Sequence, residues 1–117
     1  MYRLEKNLKI ADELIGYCYK KTGKHLNVDF AFLESETIIK IRVYIENLGK
    51  DCLEHLNETL CTSRQHEIEE CFWMANGDDS FGEELTLVGA MVDKATINYE
   101  DNVLMIELRR IDGKVKP

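Results

Sequence analysis

The chain has 117 residues, 44% of them hydrophobic and 32% charged, with a formal net charge of -7. That length fits one domain able to bury a core without metal or disulfide support, and no apolar run approaches the roughly 20 residues needed to cross a bilayer. The acidic balance, with Lys and Arg dispersed among Asp and Glu, argues against nucleic acid or an anionic membrane as partner, and the charged start Met1-Tyr2-Arg3-Leu4-Glu5-Lys6 is unlike a secretory signal, so the cytoplasm is the expected compartment.

Leu4, Leu8, Ala11, Leu14, Ile15 and Cys18 recur at steps of three and four, which predicts an amphipathic helix over 2–22. Gly23 is the expected stop, since a residue without Cβ enters the left-handed region cheaply. Leu26, Val28, Phe30 and Phe32 then alternate with Asn27, Asp29 and Ala31. Ile39, Ile41, Val43 and Ile45 repeat the pattern against Lys40, Arg42 and Tyr44. Both runs read as strands with one apolar face, joined around Ser35-Glu36 into an antiparallel hairpin.

Asp51 with Glu54, and Thr62 with Gln65, have capping-box spacing and predict helices over 52–60 and 63–75. Asn76-Gly77 closes the second of these, and Ser80 with Glu83 opens a third over 85–92. Strands over 95–100 and 103–110 follow, linked by Asp101-Asn102, a pair that tolerates positive φ. Leu104, Ile106 and Leu108 give the last strand one buried face. Strands with a single apolar face pack most economically as a mostly antiparallel four-stranded sheet with all helices on one side, an α/β (α+β) two-layer sandwich in one domain over 1–117.

Cys18, Cys52, Cys61 and Cys71 include no Cys-x-x-Cys pair and read as reduced, mostly buried thiols. With His55 and His66 they are zinc-type ligands, but Cys52 and Cys61 fall on opposite sides of a continuous helix, and His66 and Cys71 about 140° apart. No metal is therefore expected. Nothing places His25, His55 or His66 beside Ser35, Ser63 or Ser80, so no nucleophile and no catalytic residue is assigned. Phe72-Trp73-Met74 needs either a wide buried helix face or a partner-binding patch.

The run Gly82-Glu83-Glu84-Leu85-Thr86-Leu87-Val88-Gly89-Ala90-Met91-Val92-Asp93, followed by the closing hairpin, resembles the end of the ATP-binding domain of GHKL (Bergerat-fold) proteins. It is most similar to the bacterial anti-sigma-factor serine kinases, with their Gly-x-Gly-Leu-x-Leu-Val/Ile-x-x-Leu/Met-Met/Val-Asp pattern. The resemblance implies a histidine-kinase-like ATPase fold, shortened at the N-terminus, and a site for ATP with Mg2+. Three departures bear on that site. Asp12 and Glu13 stand where the family has an acid, but four residues on come Gly16 and Tyr17 instead of an Mg-binding Asn. Asn47-Leu48-Gly49-Lys50-Asp51 keeps one glycine of the adenine-binding Asp-x-Gly-x-Gly. Asn47 or Glu46 can still accept from an adenine amino group, or the stretch is a plain strand-to-helix turn with Gly49 at positive φ and Asp51 as cap.

The second glycine of the phosphate loop is Glu84, and Asp78, Asp79 and Glu83 join it around a helix N-terminus. Carboxylates stabilise such a terminus but oppose a triphosphate, by about 3 kcal/mol for a like-charge pair at about 5 Å and an effective dielectric of about 20. The resemblance then implies a non-catalytic regulatory domain that binds another regulatory protein without a cofactor, with Asn47, Gly49 and Gly82 as the remnant nucleotide site. The alternative is an ATP-binding serine kinase or nucleotide sensor. Shortening would leave an unpaired sheet edge, which invites a homodimer.

Overall fold

The computed structural model describes residues 2–61 and 88–111, with side chains from residue 4 onward. Its elements are α1 (Tyr2–Lys20), β1 (Lys24–Phe32), β2 (Glu36–Tyr44), α2 (Lys50–Leu60), β3 (Lys94–Glu100) and β4 (Val103–Ile111), with a helical turn at 88–90 ahead of β3. The helix expected over 63–75, Phe72-Trp73-Met74 and the start of the helix expected over 85–92 lie outside the described residues.

The strands form one sheet in the order β1-β2-β4-β3, every neighbouring pair antiparallel. The register lines up one apolar row across the whole sheet: Val28 beside Ile41, Ile41 beside Ile106, Ile106 beside Ile97. Because side chains alternate between faces, that row lies on the face that meets Ile10, Leu14 and Cys18 of α1, Leu56 and Leu60 of α2, and Val88, Met91 and Val92, all in one core. The next row, Asp29, Lys40, Glu107 and Thr96, lies on the opposite face. The two-layer α+β sandwich with an antiparallel four-stranded sheet stands as expected.

The end of α1 differs from expectation. Gly23 N–H reaches the Cys18 carbonyl at 2.9 Å and Thr22 N–H the Tyr19 carbonyl at 3.0 Å, the paired bonds of a Schellman stop. The residue in the left-handed region is Thr22 (φ 60), not Gly23. Gly23 is needed for another reason: a Cβ there would lie 2.7 Å from Val43 Cγ2 and 2.8 Å from the Cys18 oxygen. A β-branched residue in that region costs about 1–2 kcal/mol. Thr22→Gly should therefore stabilise by about 0.5–1 kcal/mol, the remainder being lost to extra freedom of the unfolded chain. Gly23→Ala should cost about 2 kcal/mol through overpacking. Urea midpoints moving in opposite directions at constant slope check both.

Past this stop, two residues of β1 (His25 and Leu26) face one of β2 (Val43), a bulge with His25 at φ 53. The β3–β4 turn matches its expectation, with Asp101 and Asn102 at φ 53 and 63.

Candidate functional site

The remnant nucleotide residues fall where β2 runs into α2. The chain needs a sharp turn there, and Asn47 supplies it at φ 54, a conformation Asn tolerates better than most residues. Gly49 does not: its φ of -70 and ψ of 154 are extended backbone, open to any residue. It is the N-cap of α2 and makes no side-chain capping bond, while Asp51, expected as the cap, lies inside the first turn. The helix thus begins at Lys50 rather than Cys52, because a glycine cap is nearly as good as a polar one and the Asp51 carboxylate supports the helix through its dipole instead.

The turn is tied down by the β3–β4 hairpin. Tyr99 lies on the core face of β3, and its hydroxyl donates to the Ile45 carbonyl at 2.6 Å and accepts from Leu48 N–H at 3.0 Å. Asn102 Oδ1 lies 3.1 Å from the same hydroxyl and 3.5 Å from Asn47 N. Ile45 N–H donates to the Asn102 carbonyl at 2.8 Å. A half-buried phenol needs partners for its polar tip, and this one binds both sides of the turn. At the rim, Tyr44 hydroxyl donates to Glu46 Oε2 at 3.3 Å. Tyr99 was not legible as a site residue, although it is the one hydroxyl-bearing side chain among the core-face positions Ala95, Ile97 and Tyr99.

The structure therefore brings Asn47 and Gly49 into one turn, and Gly82 lies outside the described residues. On α1, Asp12 is exposed and Glu13 half-buried. Four residues on, Gly16 has no side chain and Tyr17 is buried in the core, so the helix offers no Mg2+ ligand at either position. The expectation of mostly buried thiols is met by one of the three described cysteines, Cys71 lying outside the described residues. Cys18 is buried, and burial pushes its thiol up to about 11. Cys52 is half-buried and Cys61 exposed, its Sγ 3.6 Å from the Ala95 carbonyl oxygen at the β3 edge. Polar spacing on α2 leaves these thiols at the rim of the helix rather than beneath it. Among the described residues no three His, Cys, Asp or Glu side chains gather as a metal group.

A second concavity, of about 460 Å³, lies on the sheet face turned away from the helices. Asp29, Lys40 and Glu107 alternate in sign across it, with Asn27, Arg42 and Met105 in the adjoining row. Cross-strand neighbours of opposite charge stabilise one another there, so the ladder neutralises itself rather than presenting a field of one sign. Among the described residues no helix is long and apolar enough to cross a membrane. No family model matches the chain, and no curated protein matches it either.

Proposed function

We propose that the protein is a non-catalytic cytoplasmic regulatory domain that acts by binding another protein, on a frame resembling the anti-sigma-factor serine kinases and their histidine-kinase-like ATPase fold, with the nucleotide site eroded. The observation that carries this reading is the Tyr99 clasp. Backbone groups of the turn that would approach adenine are spent on internal bonds to Tyr99 and Asn102, and Asn47 is explained by its left-handed backbone alone. The missing Mg2+ ligand on α1 points the same way, as do the carboxylates Glu83 and Glu84 in the sequence of the phosphate loop.

One observation favours the rival, an ATP-binding serine kinase or nucleotide sensor. The fold does not need a glycine at 49, where a Cβ would meet nothing within 4 Å, and that open space suits a ligand's approach. Thermal unfolding with Mg-ATP separates the two readings. Nucleotide at about 100 times a Kd would stabilise the fold by about 2.7 kcal/mol, about 10 °C or more in a domain near this size. The expected result is no shift up to millimolar Mg-ATP. A saturable shift that is lost in Gly49→Val would reverse the assignment.

A further inference from the structure

The antiparallel ladder decides which backbone groups β1 turns outward. Leu33 N–H donates to the Glu36 carbonyl at 2.8 Å. Hydrogen-bonded pairs recur at every second residue, so in the β1–β2 register Ala31, Asp29 and Asn27 bond to β2. Val28 and Phe30, between them, point their N–H and C=O groups away from the sheet. The side chains of these same residues turn toward the helix layer and pack against the core. Beside them, a groove of about 490 Å³ runs between β1 and α1, floored by Val28 and Phe30 and walled by Leu8, Ala11 and Ile15, with Glu5, Lys9 and Asp12 of both signs also lining it. The apolar surface continues outward through Leu4 (47% exposed), Leu8 (46%) and Phe32 (45%), with the Phe32 ring stacked on Phe30 at 5.6 Å.

Exposed sheet edges are usually blunted by charge, proline or a bulge. On β1 the bulge sits at the start of the strand, and from Leu26 to Phe32 the only charge is Asp29, whose side chain lies on the other face. The opposite edge, β3, is shorter, seven residues against nine, and carries charge at both ends, Lys94 and Glu100, whereas β1 ends in Phe32; each edge packs against a helix, β3 on α2 and β1 on α1. Among the described residues, β1 is the longer edge and the one whose apolar surface continues outward.

We propose that β1 pairs antiparallel with β1 of a second copy about a two-fold axis through Val28, giving one continuous eight-stranded sheet with the two α1 helices side by side. Charge separates two registers of this pairing. Centring on Asp29 would set it against its own copy, which is unfavourable. Centring on Val28 sets Asn27 against Asp29 of the second copy, twice, and Leu26 against Phe30. The amide then donates to the carboxylate at both places. A nine-residue strand gives an edge about 30 Å long, and a helix on a sheet is about 20 Å deep. Roughly 600 Å² per copy, about 1,200 Å² in all, reaches the lower end of stable interfaces, and a micromolar dimer is the expected result. This deepens the protein-binding reading and rests on it only in assigning the domain to protein contacts.

Sedimentation equilibrium from about 1 to 200 μM tests the pairing, and the wild type should dimerise in that range. Leu8→Glu, on a half-exposed side chain, should weaken the dimer at least tenfold while leaving the melting curve of the monomer unchanged. Asn27→Asp gains Arg42 as an opposite charge across β1 and β2 but meets Asp29 of the second copy twice, so Kd should rise about five- to tenfold. Asn27→Lys should do the reverse, tightening the dimer by a similar factor although it sits beside Arg42. These crossed signs cannot come from changes in folding stability. A wild type that stays monomeric at 200 μM, or a dimer indifferent to all three substitutions, overturns the proposal and assigns the groove to another occupant. A monomer without a Mg-ATP shift would sink the pairing alone; a dimer with such a shift would sink the non-catalytic reading alone.

Discussion

Ile106→Ala is expected to cost about 3–4 kcal/mol of stability and to lower the melting temperature by more than 10 °C. Ile106 is 1% exposed on the central strand β4 and sits between Ile41 and Ile97 in the apolar row. Removing its outer carbons forfeits their transfer free energy, about 0.8 kcal/mol for each buried CH2. The cavity adds to the loss, because a side chain held between strands on both sides has few neighbours free to collapse into the space. The same truncation at Ile97, on the edge strand and only partly buried, should cost about half as much. Equal losses at the two positions, measured by urea unfolding, would show that the sheet relaxes around the hole and that the row is not a rigid unit.

Much of this architecture is legible in periodicity. Alternation at Ile39, Ile41 and Val43, and again at Leu104, Ile106 and Leu108, marks strands whose buried faces the structure reproduces. The Asp101-Asn102 turn follows from the few residue types that accept positive φ. What periodicity does not carry is the pairing of β2 with β4, a contact between distant parts of the chain that places the last strand inside the sheet and leaves β1 and β3 at its edges. The glycines mislead for a related reason. A glycine can mark a left-handed backbone, a close approach or, like Gly49, neither, and sequence does not separate these. Gly23 serves close approach, against Val43 and the Cys18 carbonyl, while Thr22 takes the strained angle.

At the turn between β2 and α2 the sequence leads to an expectation of positive φ at Gly49, which the structure corrects. Asn47, not Gly49, carries the positive φ, and the group holding the turn, Tyr99, comes from a strand 51 positions away from Leu48. Local spacing has no access to such a bond. Bonds between buried polar residues are hidden in the same way. For Asn7 the burial follows from helix geometry, since it shares a stripe with Ala11, Leu14 and Cys18, but its 3.2 Å bond from Nδ2 to Thr37 Oγ1, 30 positions away, does not.

Arg110→Ala is expected to cost about 3–5 kcal/mol, the largest effect of any charged residue described. Arg110 continues the inward series Leu104, Ile106 and Leu108, is 2% exposed, and stands opposite buried Thr37 in the register. Its Nε donates to the Met91 carbonyl at 3.0 Å. Nearby, Asp93 N–H donates to the Arg109 carbonyl at 2.9 Å and Asp93 Oδ2 accepts from Ile111 N–H at 2.6 Å. The stretch that carries the family resemblance is thus fastened to the end of β4 at its described end, 88–93. Alanine leaves a buried carbonyl without this donor, about 1–3 kcal/mol, and a cavity the length of an arginine stem. Arg110→Met separates the two contributions. It fills most of the volume, so the cavity contribution largely disappears, and the cost should fall to that of the Met91 carbonyl left without its donor, about 1–3 kcal/mol. Hydrogen exchange at 91–93 should rise in both variants, because both lose the bond to Met91. If Arg110→Met proves as damaging as Arg110→Ala, the guanidinium bonds and not the packing hold this corner; if neither costs more than about 1 kcal/mol, the fastening is absent.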